Sequence, residues 1–290
     1  MNERENNFKK IANASGFPFQ LAIEDEIKTN INKHNWEVIT HEFPWYASEK
    51  SAEGYIDLIL KKNRNRMVIE CKRLKEGAWI FLNPNKTTDS KQRARLLWSR
   101  LEFEEKQNIT GEKYITPNCF MGYSEFLSGE SPESEFCSIR GSGDDGKPFL
   151  ERIAGNLLTS VESLVYEELD LMNRIKKETS IIYIPAIITN AELIICNFEP
   201  DKMSLSDALI SEADFKTVPM IKFRKSLSTR LTANSHPQEL MEIRENKERT
   251  VFIINAKSLT DVLKNINIEK DNENWPWNYN SQKTKTIYDQ

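Results

Sequence analysis

The sequence predicts an α/β fold in which a mixed central β-sheet is flanked by helices, and three observations predict it. Residues 53–75 hold two stretches rich in Ile, Leu and Val around a polar Lys-Asn-Arg-Asn-Arg run, the pattern of a β-hairpin. Residues 181–198 hold two further apolar runs, typical of strands covered on both faces. Residues 17–33 and 148–177 carry apolar side chains at helical spacing, so we expect helices to cover the sheet.

The first half of the chain supplies the elements that lead into and out of the hairpin. Residues 1–16 are a polar lead, and Pro18 opens the helix at residues 17–33. The hairpin strands and their neighbours are predicted at residues 36–43 (strand), 55–61 and 67–73 (hairpin strands) and 90–107 (helix).

The second half is predicted to complete the sheet. The Gly-rich loop at residues 141–146 is read as a linker, because no Gly-Lys-Ser/Thr follows it as in a P-loop. The remaining predictions are a long helix at 148–177, strands at 181–189 and 192–198 extending the hairpin's sheet, a helical segment at 205–213, strands at 218–223 and 250–254, and a closing helix at 258–266.

The central hairpin carries charges where a half-buried sheet should be apolar. Side chains alternate across a strand, so Glu70 and Lys72 share one face while Ile69 and Cys71 take the other. Antiparallel pairing puts Asp57 roughly opposite Glu70, and we expect their carboxylates within about 6 Å of each other. Two carboxylates form an oxygen site that suits Mg²⁺, and a lysine beside them can orient or deprotonate an attacking water.

These residues carry a resemblance to a known family. Asp57, twelve further residues and then Glu70-Cys71-Lys72 resemble the D-x(n)-E-x-K signature of the PD-(D/E)XK nuclease superfamily, which has the restriction-endonuclease-like fold. Ile56 stands where the family's name has proline. The resemblance covers residues 17–73 well and the rest in outline. It implies a restriction-endonuclease-like core with a mid-chain insertion.

The resemblance also implies a function: a nuclease dependent on Mg²⁺ or Mn²⁺ that hydrolyses nucleic-acid phosphodiesters, with DNA as the expected substrate. Restriction or phage defence, with a homo-oligomer or a partner protein, is the setting that such nucleases suggest. The chain is then divided into four parts: residues 1–107 (first half of the core), 108–177 (insertion and long helix), 178–268 (second half of the sheet) and 269–290 (polar tail).

Site roles follow from the same resemblance. Asp57 and Glu70 are expected to bind the metal with the backbone carbonyl of Cys71, and Lys72 to act on the attacking water. Glu24 falls within the apolar face of the first helix, where many superfamily members place an additional carboxylate, with Glu26 as the alternative. The residues expected to contact nucleic acid are Arg73, Lys75, Lys91, Gln92 and Arg93.

Composition limits the other classes of function. Hydrophobic content is 39% and charged content 29%, which indicates a soluble globular protein. Four cysteines without a CxxC pair disfavour a zinc ribbon, and three histidines lack ligand spacing. The polar N-terminus does not resemble a signal peptide and no apolar run could span a bilayer, so a cytoplasmic protein without a membrane partner is expected.

Net charge is −4, which does not favour tight non-specific binding to nucleic acid, although basic residues cluster locally. One such cluster contains Lys222, Arg224, Lys225 and Arg230 and is either a solvated face or a set of phosphate contacts. Two alternatives to a free nuclease stay open. One is a nucleic-acid-binding or assembly module that does not cleave, and the other is a nuclease gated by a partner or ligand sensed by residues 108–177.

Overall fold

The computed structural model describes residues 3–47, 52–74, 77–84, 92–139, 149–207, 209–227, 238–266 and 268. The helices are α1 (Glu3–Ala14), α2 (Phe17–Thr29), α3 (Ile31–His34), α4 (Phe149–Arg174), α5 (Leu240–Asn246) and α6 (Leu259–Asn265). The strands are β1 (Glu37–Ala47), β2 (Ala52–Lys62), β3 (Asn65–Lys72), β4 (Ala78–Pro84), β5 (Arg93–Gln107), β6 (Lys113–Leu127), β7 (Glu133–Ser134), β8 (Phe136–Ile139), β9 (Thr179–Thr189), β10 (Glu192–Phe198), β11 (Asp214–Thr217), β12 (Met220–Ser226) and β13 (Glu248–Asn255).

Nine of these strands form a mixed central sheet in the order β1-β2-β3-β9-β13-β12-β7. The strands β3, β9 and β13 are parallel, whereas β1, β2 and β3 form an antiparallel meander. The strand β5 pairs antiparallel with the first half of β9, on the side away from β3, and β6 pairs with β5. A second sheet has the order β11-β10-β4-β8. The predicted fold class, α/β with a mixed central sheet flanked by helices, is confirmed.

The central sheet is buried on both faces because its middle strands carry continuous apolar runs. On one face α4 and the second sheet share a core with Val68, Tyr183 and Val251. On the other face α2 and α6 pack over Ile69 and Ile184. Burial of apolar surface at about 25 cal/mol per Å² is the main stabilising term for such a layered fold.

Several sequence predictions are confirmed at the level of elements. The hairpin is β2 and β3, and the runs at 181–189 and 192–198 are β9 and β10. The long helix is α4 and the closing helix is α6. The predicted helix at 17–33 is divided at Asn30 into α2 and α3, because Asn30 caps the first helix by donating to the Glu26 carbonyl.

The predicted helix at residues 90–107 is wrong, because residues 93–107 form the strand β5. Fifteen consecutive residues pair with β6, from Arg93 opposite Leu127 to Gln107 opposite Lys113. Leu96 packs into one core and Leu97 into the other, so apolar residues that seemed to mark a helical face serve the two faces of a strand. The partner strand lies within residues 108–139, where the sequence predicted no strand.

Two further predictions, the sheet to which β10 belongs and the helix at residues 205–213, are wrong because contacts with distant residues, or their absence, decide the structure there. The strand β10 does not extend the central sheet, since it pairs with β4 and β11 in the second one. Residues 205–207 and 209–213 are turn and irregular structure rather than helix, because Leu205 and Leu209 are exposed and bury no apolar face. The Gly-rich loop and the polar tail lie outside the described residues. Over the described part of the chain, no helix is long and apolar enough to cross a membrane.

Candidate active site

The candidate site lies where two neighbouring strands of the central sheet separate. The pairing of β2 with β3 ends at Leu58 opposite Ile69. Beyond it, β2 continues only with β1, and β3 continues with β9 as far as Lys72 opposite Thr189. Asp57 and Glu70 come directly after that last pair, so both side chains stand at the opening between the strands.

Asp57 is held in place by the main chain of the opposite strand. Its Oδ2 accepts a hydrogen bond of 2.6 Å from the backbone N–H of Cys71. Burial and, next, the charge of Glu70 raise the pKa of the Asp57 carboxyl to about 7, against the lowering effects of the Cys71 N–H and Lys72; Glu42 adds a smaller upward effect. Negative charge is therefore crowded here, and the crowding favours a proton or a cation.

Glu70 and Lys72 behave as the alternation of β3 predicts. Ile69 lies in the core beneath α2 and α6, and Cys71 packs against the same core, which leaves Glu70 and Lys72 on the opposite face. The Lys72 ammonium forms an ion pair with Glu70 Oε1, and both side chains are partly exposed. Burial raises the pKa of the Cys71 thiol well above its usual range, so its sulfur stays protonated and only its backbone is available to a metal.

Two residues that sequence reasoning did not assign complete the surroundings of Asp57. Glu42 on β1 has a left-handed backbone with φ of 48° and stands opposite Asp57, between the pairs His41–Leu58 and Phe43–Ile56. Gln20 of α2 donates its Nε2 both to Glu42 Oε1, at 2.6 Å, and to the Asp57 carbonyl, at 3.1 Å. The helix α2 thereby holds Glu42 and Asp57 in place through one side chain.

Glu24 faces inward as predicted, but its carboxylate is already engaged. Its Oε1 accepts from Lys28 Nζ at 2.6 Å and lies 3.3 Å from His41 Nδ1. The Lys28 hydrogen bond, with a smaller one from His41, lowers the pKa of Glu24 despite burial. Glu26, the alternative, is exposed and accepts from Thr260. Glu24 thus lies one turn from Gln20, and its role at the site stays a prediction.

Of the five predicted nucleic-acid contacts, the structure describes three, and of these only Arg73 lies next to the site along the chain. Arg73 follows Lys72 and donates to the carbonyl of Asn13, at the end of α1. Arg93 is the first residue of β5, and Gln92 directly precedes it. The Gln92 side chain donates a hydrogen bond to Glu130. Because β9 lies between β5 and β3, these two residues belong to another part of the sheet. Lys75 and Lys91 lie outside the described residues.

The three described members of the cluster around Lys222 are engaged in contacts within the fold. The Lys222 side chain is fully buried, and its Nζ donates to Ser128 and to the carbonyl of Gly129. Arg224 forms ion pairs with Glu125 and Glu248. Lys225 pairs with Glu151, while Arg230 lies outside the described residues.

Asp57 and Glu70 suit a Mg²⁺ ion better than a metal held wholly by side chains. Within the described ranges, no group of three or more His, Cys, Asp and Glu side chains could hold a metal ion. Mg²⁺ is commonly bound by one or two carboxylates, with water and substrate phosphate supplying the other oxygens. Burial and, next, the charge of Glu70 raise the pKa of Asp57, and a divalent cation bound between the two carboxylates would offset both effects.

Comparisons of the chain with protein-family models, with curated proteins and with solved structures found no match.

Proposed function

We propose that this chain is a Mg²⁺-dependent nuclease that hydrolyses phosphodiester bonds, with DNA as its substrate. One observation carries the proposal: Asp57 is held by the Cys71 N–H beside Glu70 and Lys72, where β2 and β3 separate. Two carboxylates and an ammonium at a strand opening are the charges that metal-assisted attack on phosphorus needs. The resemblance to the PD-(D/E)XK superfamily supports the same reading.

Each residue has a distinct task in this proposal. Asp57 and Glu70 would hold the ion, which when bound withdraws charge from the scissile phosphate. Lys72, paired with Glu70, orients the attacking water and donates a hydrogen bond to the phosphate. The water oxygen forms the new bond to phosphorus as the bond to the leaving sugar oxygen breaks. That oxygen takes a proton from solvent, and the water's own proton is lost to solvent, which leaves a phosphate monoester and a free hydroxyl.

The test is cleavage of circular and linear DNA, with an RNA strand of the same sequence as a second substrate. Lys72→Ala should lower Mg²⁺-dependent cleavage by at least about a hundredfold, as expected for loss of a group that acts on the attacking water. Lys61→Ala is the matched control, because Lys61 is an exposed lysine at the far end of the same hairpin.

Three results would contradict the proposal in different ways. A Lys72→Ala protein that cleaves like wild type would place any activity elsewhere. Cleavage that persists in EDTA would remove the metal from the proposal. A wild type that binds DNA but never cleaves it, with Mg²⁺ or Mn²⁺ present, would favour the non-cleaving binding module.

A further inference from the structure

The three parallel strands β3, β9 and β13 end side by side at the candidate site. Lys72 is the last residue of β3 that pairs with β9, and its partner is Thr189. The pairing of β13 with β9 ends at the same residue, with Asn255 opposite Thr189. Ligands of open α/β sheets bind beyond the carboxyl ends of the strands. The main chain that follows these last pairs therefore bears on how firmly Lys72 is held.

Asn190 continues the pairing of β9 with β3 through its side chain. It directly follows Thr189, and its Oδ1 accepts a hydrogen bond of 2.6 Å from the Leu74 N–H. Its Nδ2 donates to the Leu74 carbonyl at 2.9 Å. One amide thus binds both main-chain polar groups of Leu74, as a neighbouring strand would. The end of β3 is therefore fixed at Lys72 by β9 and at Leu74 by Asn190.

The turn that carries Asn190 is itself held on its other side. The Thr189 hydroxyl accepts from the Ala191 N–H at 3.1 Å, and both residues are buried. Asn255 Nδ2 donates to the Ala191 carbonyl at 2.7 Å. Because Asn255 is the last residue of β13, two asparagine side chains link the ends of the three parallel strands. The Asn190 amide is thus anchored to the centre of the sheet.

Leu74 lies on the same face of the sheet as the catalytic candidates. It follows Lys72 by two residues and packs against the core beneath α4, the face to which Glu70 and Lys72 point. A lysine side chain is long and flexible, so the position of its ammonium depends on a fixed main chain. Loss of the two bonds to Leu74 would let the end of β3 open locally, as strand ends do when their hydrogen bonds are few.

We propose that Asn190 is a positioning residue for Lys72. By binding the main chain of Leu74, it holds the end of β3 so that the Lys72 ammonium stays beside Glu70. The catalytic consequence rests on the proposed nuclease function, whereas the hold of Asn190 on β3 does not. Asn190 touches neither ion nor substrate in this proposal, so its effect on cleavage passes through Lys72.

Amide hydrogen exchange, followed by NMR in EDTA, tests the hold on β3 without any substrate. Asn190→Ala should speed exchange of the Leu74 N–H at least about tenfold, because this N–H loses its acceptor. Exchange at Ile187, in the middle of β9, should rise less, which separates local opening from a loss of global stability. Asn190→Asp keeps an acceptor and loses the donor, so it should raise Leu74 exchange by a smaller factor, and it replaces the alanine variant if that variant does not fold.

The matched control is Asn118→Ala, because Asn118 is a strand asparagine on β6 whose side chain donates to Glu104. It should leave exchange at Leu74 as in the wild type. Unchanged Leu74 exchange in Asn190→Ala would overturn the inference, and so would an equal rise at Leu74 and Ile187.

Cleavage of DNA in Mg²⁺ tests the catalytic consequence. Asn190→Ala should lower kcat at least about tenfold and leave KM within about twofold, because a displaced group at the reacting centre impairs the chemical step rather than binding. In the Lys72→Ala background, measured in single turnovers at high protein concentration, the same substitution should have no further effect. A general loss of stability would instead lower cleavage in both backgrounds.

The outcomes separate this inference from the nuclease proposal. A wild-type kcat in Asn190→Ala would overturn the positioning role, as would an equal loss with and without Lys72. If the wild type does not cleave DNA while Asn190→Ala still speeds exchange at Leu74, only the nuclease proposal fails. If the wild type cleaves and neither exchange nor kcat responds to Asn190→Ala, only the role of Asn190 fails.

Discussion

Replacement of Asp57 by Asn tests the electrostatics of the candidate site without any assumption about substrate. Asn keeps an oxygen that can accept from the Cys71 N–H but cannot ionise. In the wild type the folded-state pKa of Asp57 is raised to about 7 from an ordinary value of 3.8. Between these pH values the unfolded chain loses the proton while the folded chain keeps it, so the free energy of unfolding falls as pH rises and levels off above pH 7.

The magnitude follows from the size of the shift. One unit of pKa corresponds to about 1.4 kcal/mol, so the whole shift could cost the folded state up to about 4 kcal/mol. Most of the cost appears above pH 5, and between pH 5 and pH 8 it amounts to roughly 2–3 kcal/mol. The free energy of unfolding of Asp57→Asn does not fall in this way. The difference in free energy of unfolding between the variant and wild type should therefore grow in favour of the variant by that amount between pH 5 and pH 8.

The assay is urea unfolding of both proteins at pH 5, 6, 7 and 8 in EDTA, followed by tryptophan fluorescence. Asp214→Asn is the control, because Asp214 is exposed on β11 and its replacement should run parallel to wild type. At pH 8, MgCl₂ should stabilise the wild type but not Asp57→Asn, since a ligand that binds only the folded state raises its stability. If the difference in free energy of unfolding between wild type and Asp57→Asn stays constant across the pH range, the pKa of Asp57 is not raised by burial and Glu70, and the reasoning is refuted.

Two other predictions concern the hydrogen bonds of Gln20 at the site and the packing of α4 on the central sheet. Gln20→Leu should cost about 1–3 kcal/mol of stability, because the Glu42 carboxylate and the Asp57 carbonyl lose their shared donor. For the proposed DNA cleavage, Gln20→Leu should also lower kcat more than it raises KM. The control is Leu21→Ala, on the exposed side of α2, and an equal kcat in the two variants would show that Gln20 does not position the site. Leu157→Ala should cost about 2–5 kcal/mol in urea unfolding, since Leu157 lies in the core beneath α4. Leu171→Ala, exposed on the same helix, should stay within about 0.5 kcal/mol of wild type, and a similar loss in both would contradict the packing described for α4.

The candidate site could be predicted in part because its pattern is local. Alternation along β3 separates Glu70 and Lys72 from Ile69 and Cys71, and hairpin pairing brings Asp57 towards Glu70. Glu42 could not be found in this way. It sits in an ordinary polar position of β1, and neither its left-handed backbone nor its bond to Gln20 has a sequence signal. The engagement of Glu24 by Lys28 and His41 was likewise decided by how α2 packs on β1.

The sequence by itself determined those elements in which the spacing of apolar residues shows which faces are buried. The run at β9 is apolar on both faces, and α4 keeps one apolar stripe, so each could take only one kind of structure. Tertiary structure decided the rest, because the deciding contacts come from distant residues. Leu96 and Leu97 fit a helix or a strand equally well until β6 offers its pairing partners. The strand β10 follows β9 by two residues yet leaves its sheet, since β4 and β11 supply its hydrogen bonds.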